Sequence, residues 1–357
     1  MTKETLDLRS LHADTLDELA SFFLSKMDSQ WPTQVERILL VLKDFALRPG
    51  KMLRPSFVYC GWAGSGGDPT SLAIRKFAAG IEMFHTFALI HDDVMDQSAT
   101  RRGRPTVWRA LAGFDAQQRH RNGRDQFADN AAILLGDLCL VWSDEMIREA
   151  GLEYEAMMRA QPLVAQMRSE IMVGQYLDLL TSGVRQGASH GQTAWEVLLY
   201  KTARYTVERP LQIGAALAGA PDSLLHSLSQ YAIPLGEAFQ LRDDVLGVFG
   251  SEKKTGKSRM DDLRAGKATI LLGLTYERAD SRQLETLDRW VGHPDLQEPD
   301  ADLIRQIIID TGALKKVEEI IDERLRTATD LLISCRFPTG VRDTLRVLAE
   351  SCTHRSV

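Results

Sequence analysis

The chain has 357 residues and a net charge of −6, since 43 Lys and Arg residues oppose 49 Asp and Glu residues. With 44% hydrophobic and 26% charged residues it has an ordinary globular composition, long enough to bury a core without disulfide or metal staples. The mild acidity argues against nonspecific nucleic-acid binding, because that requires a basic surface that displaces counterions from phosphates.

The spacing of the cysteines and the length of the apolar stretches indicate the cellular compartment of the protein. Cys60, Cys139, Cys335 and Cys352 lie too far apart for a C-x-x-C pair or a zinc site, so reduced thiols are expected. The first residues lack a signal-peptide pattern, and no stretch reaches the roughly 18 apolar residues of a membrane helix. These patterns predict a cytoplasmic protein with no integral membrane segment and no nucleic acid among its partners.

The spacing of apolar residues predicts an all-α fold, because they recur mostly three and four positions apart. Clusters of Gly and Pro separate the segments, with shorter helices before residue 65 and after residue 258. The longest predicted helices cover residues 70–97, 126–149, 154–181, 192–218 and 222–248. Residues 109–130 are polar and include the basic run 119–124, which we interpret as a solvated loop. No linker divides the chain, so one domain is expected over residues 1–357.

Two acidic clusters end two of these predicted helices. Asp92, Asp93 and Asp96 end the first, and Asp243 and Asp244 end the second, in similar apolar contexts. Asp92 and Asp96 share a helix face at a C-terminus, where the helix dipole disfavours negative charge, so a cation is needed. Oxygen ligands suit Mg²⁺, which binds one or two carboxylates, waters and substrate phosphates. A solvent-exposed helix end paired with arginine explains one such cluster equally well, but two clusters favour a metal site.

Basic side chains follow both clusters and occur in two further places. They are Lys51, Arg54, Arg101, Arg102, Lys201, Lys254, Lys257 and Lys267. Arginine forks and lysine point charges are the groups with which proteins hold phosphoryl oxygens. Carboxylates, a metal and basic residues together predict a site that clamps a diphosphate.

The motifs around these residues resemble those of the trans-isoprenyl diphosphate synthases, also called polyprenyl synthetases. The similarity covers residues 50 to 267 and consists, in chain order, of Gly50-Lys51-x-x-Arg54-Pro55, Glu82-x-x-His85, Asp92-Asp93-x-x-Asp96, Arg101-Arg102-Gly103-x-Pro105-Thr106, Gly136-Asp137, Gly174-Gln175-x-x-Asp178, Lys201-Thr202 and Phe239-Gln240-x-x-Asp243-Asp244. The resemblance implies a single-domain isoprenoid synthase-type helical bundle with a central active-site cavity. It also implies a homodimer paired through long helices.

The resemblance implies a role for each group of residues. In the family, about three Mg²⁺ ions bridge two facing acidic boxes to an allylic diphosphate. The implied metal ligands are Asp92, Asp96 and Asp243, and Asp93, Asp244 and Lys201 complete the catalytic set. The implied contacts to the allylic diphosphate are Arg101, Lys201, Thr202, Gln240, Lys257 and Lys267. The implied contacts to isopentenyl diphosphate are Lys51, Arg54, His85 and Arg102.

The implied reaction condenses isopentenyl diphosphate with dimethylallyl, geranyl or farnesyl diphosphate by ionisation, condensation and elimination. This mechanism needs no side-chain nucleophile, and the sequence offers no recognisable Ser/His/Asp or Cys/His motif. Phe87 lies about 7.5 Å down the helix axis from Asp92, where its side chain could close the pocket floor. Ala88 beside it is small, and Phe84 lies further down. In the family, this pattern resembles enzymes that form geranylgeranyl diphosphate (C20).

Three alternatives stay open. A farnesyl or longer-chain synthase uses the same mechanism. A class I terpene cyclase shares the fold and the first box, but it does not need the isopentenyl site. A non-catalytic subunit of a heteromeric prenyl synthase keeps the fold without the chemistry. Gly247 supports the last alternative, because many family members have a third aspartate of the second box there, but the first box is intact.

Overall fold

Helices form about four fifths of the computed structural model of the protein, which describes residues 6–28, 31–114, 124–182, 190–251, 259–335 and 337–353. The helices are α1 (Leu8–Met27), α2 (Thr33–Ala46), α3 (Leu53–Gly64), α4 (Leu72–Met95), α5 (Val107–Phe114), α6 (Arg124–Arg148), α7 (Tyr154–Thr181), α8 (His190–Val197), π1 (Leu198–Glu208), α9 (Arg209–Leu217), α10 (Asp222–Phe249), α11 (Asp261–Arg264), α12 (Ile270–Arg278), α13 (Ser281–Trp290), α14 (Glu298–Asp310), α15 (Ala313–Ser334) and α16 (Thr339–Thr353). The predicted all-α class is confirmed. The five long predicted helices are also confirmed, with ends that differ by at most two residues.

The helix predicted over residues 192–218 contains a π-helical segment. The chain runs without a break from α8 through π1 into α9. Gly174 of α7 and Gly236 of α10 pack against π1: a Cβ at Gly174 would lie 2.5 Å from the backbone nitrogen of Lys201, and one at Gly236 would lie 2.4 Å from the Cα of Ala203. Only glycine permits these approaches, so the two positions fix π1 between α7 and α10.

Helices extend into both ends of the polar segment 109–130. Helix α5 extends to residue 114, and α6 begins at residue 124. Trp108 and Leu111 of α5 are buried, and their spacing of three puts both on one helix face that packs into the core. Burial of this face outweighs the polar neighbours. Residues 119–123 of the basic run lie outside the described residues, so its interpretation as a loop stays a prediction.

A short β-hairpin connects α4 to α5. Its strands are β1 (Thr100–Arg101) and β2 (Arg104–Pro105), which pair antiparallel. Arg102 and Gly103 form the two-residue turn with φ of 54° and 71°, the left-handed geometry of tight hairpins. The hairpin turns the chain back so that Arg101 returns to the C-terminal end of α4.

Helix pairs with buried apolar faces enclose the centre of the molecule. Helix α4 packs on α6, α3 packs on α9, and α10 packs on both π1 and α15. No helix in the described ranges is long and apolar enough to cross a membrane. The four cysteine side chains are free and buried.

A buried ion pair joins α7 to α9. Nε of Arg209 donates to Oε2 of Glu170 at 2.7 Å, and Nη2 donates to Oε1 at 2.8 Å. We expect Arg209→Met to lower the free energy of unfolding by about 1.5 to 3 kcal/mol, because the buried Glu170 loses its bidentate partner and keeps only its bonds to Arg204 and Gln166. Urea denaturation measures this loss. Arg346→Met is the control, since the side chains of Arg346 and Asp343 are 45% and 46% exposed and such a pair contributes about 1 kcal/mol or less. Equal losses in the two variants would contradict the expectation.

Candidate active site

A cavity of about 830 Å³ lies where the N-terminal end of α3, the C-terminal half of α4, π1 and α10 meet. Its lining includes every diphosphate contact implied by the resemblance that the structure describes. These residues are Lys51, Arg54, His85, Arg101, Arg102, Lys201, Thr202, Gln240 and Lys267. Asp92, Asp243 and Asp244 line the cavity as well. Lys257 lies outside the described residues.

The first acidic box lies at the C-terminal end of α4, where Arg101 of the hairpin binds it. Nη2 of Arg101 donates to Oδ2 of Asp92 at 3.0 Å, and Nε donates to Oδ1 of Asp93 at 2.8 Å. The Asp93 side chain is only 1% exposed, so Arg101 rather than solvent compensates its charge. Asp93 therefore positions the arginine, whereas Asp92 faces the cavity.

Two lysines connect the same box to other walls of the cavity. Nζ of Lys201 donates to Oδ1 of Asp92 at 3.0 Å and to Oδ2 of Asp178 at 2.6 Å. Nζ of Lys267 donates to Oδ2 of Asp96 at 2.8 Å. Burial alone would lower the pKa of each lysine, but the neighbouring carboxylates outweigh it and raise both pKa values. Both lysines are therefore protonated at neutral pH and available to an anion.

The second acidic box is connected to π1 through a hydrogen-bond chain. Oγ1 of Thr202 donates to Oε1 of Gln240 at 2.5 Å, and Nε2 of Gln240 donates to Oδ1 of Asp244 at 2.7 Å. Burial raises the pKa of Asp244 well above its usual value, and the charges of Asp262 and Asp243 add to this rise. Several carboxyl groups thus crowd this wall, and a bound cation would favour their ionised forms.

A second set of basic side chains lies at the other end of the cavity. Nη2 of Arg54 donates to Oγ1 of Thr206 at 2.7 Å, and its guanidinium stacks 4.1 Å from the ring centre of Tyr205. The Tyr205 hydroxyl lies 3.3 Å from Nδ1 of His85. Burial, with the positive charges of Arg54 and Arg102, lowers the pKa of His85 well below its usual value. The imidazole is therefore neutral at physiological pH.

Arg102 and Lys51 complete this basic end. Nη1 of Arg102 donates to the backbone oxygen of Arg48 at 2.7 Å. A Cβ at Gly50 would lie 2.4 Å from Nη2 of Arg102, so the glycine leaves the space that the guanidinium needs. Nζ of Lys51 lies 5.5 Å from the ring centre of Phe239. The cavity consequently has two separate cationic regions, of which only the first adjoins the acidic boxes.

The donor set of the acidic boxes fits Mg²⁺. Among the residues described, no three His, Cys, Asp or Glu side chains are close enough to hold one metal ion. Magnesium does not require such a group, because it usually binds one or two carboxylates and takes its other ligands from waters and substrate phosphates. Asp92 and Asp243 supply carboxylate oxygens to the same cavity from α4 and α10. The arrangement suits a metal that arrives with a diphosphate.

The residues proposed for the pocket floor lie outside the cavity lining. Phe84 and Phe87 are buried, with ring centres 5.2 Å apart, and Phe84 packs against the ring of Tyr205 at 6.0 Å. Ala88 is partly buried beside them. Their role in chain length stays a prediction.

Several residues of the site were missed at the level of sequence. They are Glu82, Asp178, Tyr205, Thr206 and Asp262. Glu82 and Asp178 belong to motifs that the sequence contains, so their positions were noted, but no contact in the site was predicted for them. Tyr205 and Thr206 lie in π1, where the side-chain directions differ from those of an α-helix.

The fold and the site define a prenyl diphosphate synthase architecture, and the chain belongs to the polyprenyl synthetase family, whose model matches residues 35–308. A geranylfarnesyl diphosphate synthase from Aeropyrum pernix is 32% identical over 294 residues, which cover 79% of this chain and 83% of that protein. A (2E,6E)-farnesyl diphosphate synthase from Mycobacterium tuberculosis is 34% identical over 240 residues, which cover 65% of this chain and 58% of that protein. The predicted family is confirmed.

A solved structure gives the same result for the fold. The crystal structure of a geranylgeranyl pyrophosphate synthase from Corynebacterium glutamicum, complexed with isoprenyl diphosphate and magnesium, matches with a TM-score of 0.92 and 34% identity. The match covers 98% of this chain and 100% of that chain. The predicted isoprenoid synthase-type helical fold is confirmed. The three relatives are named for products of different chain length, so membership of the family leaves the product open.

Proposed function

We propose that the protein condenses isopentenyl diphosphate with an allylic diphosphate in the presence of Mg²⁺ and releases mainly geranylgeranyl diphosphate (C20). The observation that carries this proposal is the pair of cationic regions in one cavity. Lys201, Lys267 and Arg101 pair with carboxylates of the first box, which suits a metal-bound diphosphate, whereas Arg54 bonds to Thr206 and Arg102 to the backbone oxygen of Arg48. Two diphosphate substrates need two such regions.

In this proposal the allylic diphosphate binds at the acidic side. Asp92, Asp96 and Asp243 would hold Mg²⁺, with about three ions expected from the family. When bound, the metal neutralises the negative charge that grows on the diphosphate leaving group. Lys201 and Lys267, kept protonated by their carboxylate neighbours, donate hydrogen bonds to the same group as the carbon–oxygen bond breaks.

Isopentenyl diphosphate binds at the basic end, where Lys51, Arg54 and Arg102 neutralise its diphosphate and the neutral His85 contributes a ring nitrogen. Its double bond attacks the allylic cation and forms the new carbon–carbon bond. A proton then leaves the condensed cation for the released diphosphate, which restores a double bond. No side chain forms a covalent bond in this sequence of steps.

The C20 product rests on Phe87 as the floor of the pocket. We expect Phe87→Ala to shift the product distribution beyond C20, because it removes a ring from the path of the growing chain. Chromatography of the dephosphorylated products measures the shift. The control is Phe22→Ala on α1, whose ring packs against Trp142. An unchanged distribution in Phe87→Ala would reject the floor assignment.

A farnesyl product is the second candidate, which the farnesyl diphosphate synthase relative supports.

We also propose that the chain folds as one domain, pairs as a homodimer and acts in the cytoplasm. Helices α6 and α7 support the dimer, since they expose large apolar side chains. Examples are Leu134, Val141, Met172, Val173, Tyr176 and Leu180. Sedimentation equilibrium should then give twice the chain mass of 39.9 kDa.

The free thiols favour a reducing compartment.

The function is tested by incubating purified protein with MgCl₂, labelled isopentenyl diphosphate and, in turn, dimethylallyl, geranyl and farnesyl diphosphate. A dominant C20 alcohol after dephosphorylation is the expected result. A C15 or a longer alcohol would retain the mechanism and reject the C20 product. Folded protein that gives no product with any primer would contradict the proposal and favour a non-catalytic subunit.

A further inference from the structure

We propose that His12, on α1, is a positioning residue for the basic end of the cavity, where it acts through Ser56 on the strained backbone of Met52. Two hydrogen bonds connect the imidazole to this backbone, which lies between Lys51 and α3. The inference rests on the proposed function, because it concerns how isopentenyl diphosphate is held. Helix α1 precedes residues 35–308, which match the family model.

Met52 adopts a strained conformation just before α3. Its φ and ψ angles are 45° and 43°, in the left-handed region that residues other than glycine rarely adopt. Such strain persists only where the surrounding structure holds it. Lys51 immediately before Met52 and Arg54 two residues after it both line the cavity. The conformation of Met52 therefore sets the placement of two cations of the basic end.

Ser56 holds the Met52 carbonyl with two hydrogen bonds. Its backbone nitrogen donates to the Met52 oxygen at 3.1 Å, and its hydroxyl donates to the same oxygen at 2.8 Å. Ser56 is fully buried, so its hydroxyl depends on partners within the protein. The orientation of the Met52 carbonyl therefore depends on the Ser56 side chain.

His12 completes the hydrogen bonding of the Ser56 hydroxyl. Nε2 of His12 lies 3.0 Å from Oγ of Ser56. The hydroxyl gives its single proton to the Met52 carbonyl, which can only accept, so it accepts a hydrogen bond from Nε2 of His12. Burial lowers the pKa of His12, so the imidazole is neutral at neutral pH and carries its proton on Nε2. A donor at this position polarises the hydroxyl and strengthens its bond to Met52.

Helix α1 holds the imidazole in a fixed position from outside the cavity. It packs on both α3 and α4. Leu11, next to His12, is buried in the core, and the carboxylate of Asp14 accepts a hydrogen bond from Nη1 of Arg75 on α4. The donor to Ser56 therefore comes from a helix that is anchored to two walls of the cavity.

Steady-state kinetics of the full chain with isopentenyl and farnesyl diphosphates test the assignment. We expect His12→Leu and Ser56→Ala each to raise KM for isopentenyl diphosphate about 3- to 10-fold, the effect of one hydrogen bond. The KM for farnesyl diphosphate and kcat should stay within about twofold of the wild type, because the acidic boxes are not touched.

Two further variants separate positioning from a general effect on the fold. His12→Gln should keep the wild-type KM, because the amide nitrogen of glutamine reaches the place of Nε2 and donates there. The double variant His12→Leu/Ser56→Ala should bind isopentenyl diphosphate no worse than Ser56→Ala, since His12 acts through that hydroxyl.

His226→Leu and Ser25→Ala are the matched controls. Both residues are exposed, and each makes its hydrogen bond within its own helix, His226 with Gln230 and Ser25 with the backbone oxygen of Phe22. Both KM values should equal those of the wild type in these variants. Circular dichroism checks that every variant folds.

An unchanged KM for isopentenyl diphosphate in His12→Leu, equal rises in both KM values, or additive losses in the double variant would each overturn the assignment. Failure of the proposed function is recognised separately, by wild-type protein that forms no prenyl product. Titration calorimetry with isopentenyl diphosphate then compares the wild type with His12→Leu without turnover, and equal Kd values would overturn the assignment.

Discussion

Asp92→Asn is expected to lower kcat by about 10²- to 10³-fold, because it removes a charged group that acts on the leaving diphosphate in the transition state. The fold should survive, since Lys201 keeps its bond to Asp178 and Arg101 keeps its bonds to Asp93. Steady-state kinetics with isopentenyl and farnesyl diphosphates measure the loss, and a titration with MgCl₂ should show a higher requirement for the metal.

Asp17→Asn is the matched control for this substitution. Asp17 is exposed on α1 and does not line the cavity, so kcat and the MgCl₂ requirement should both equal those of the wild type. If Asp92→Asn retained kcat within about threefold of the wild type, Asp92 would not be part of the reaction centre. The proposed placement of the metal at the first box would then be wrong.

Arg54→Met is expected to raise KM for isopentenyl diphosphate about 10- to 100-fold, since a charge-assisted hydrogen bond contributes about 1.5 to 3 kcal/mol. The KM for the allylic substrate should change little, because Arg54 lies at the basic end and bonds to Thr206 rather than to an acidic box. Initial rates with each substrate varied in turn separate the two KM values.

Arg104→Met provides the comparison for a nearby arginine. Arg104 lies in the same hairpin as Arg101 and Arg102, but its side chain is 60% exposed and pairs with Asp44. Both KM values should stay at the wild-type level in this variant. A rise in the allylic KM alone in Arg54→Met would reverse the assignment of the two diphosphate regions.

The sequence predicts those parts of the fold and site that are determined within a single helix. Helices α4 and α10 follow from apolar spacing, and the faces that carry Asp92, Asp96 and Asp243 follow from helical periodicity. The resemblance then gave a set of ten diphosphate contacts, and nine of them line one cavity. Lys257, the tenth, lies outside the described residues.

Contacts between elements could not be predicted in this way. The π-helical geometry of π1 depends on its packing against Gly174 and Gly236, and apolar periodicity does not distinguish it from an α-helix. For the same reason Tyr205 and Thr206 were not recognised as neighbours of Arg54.

The most direct test of the central claim is the release of inorganic diphosphate from purified protein with MgCl₂. Condensation predicts release only when isopentenyl diphosphate and an allylic diphosphate are both present, with one diphosphate for each isopentenyl unit incorporated. Rapid release from the allylic substrate alone would contradict the claim and indicate a cyclase. No release from folded protein with both substrates would contradict it as well, and would indicate a subunit without catalytic activity.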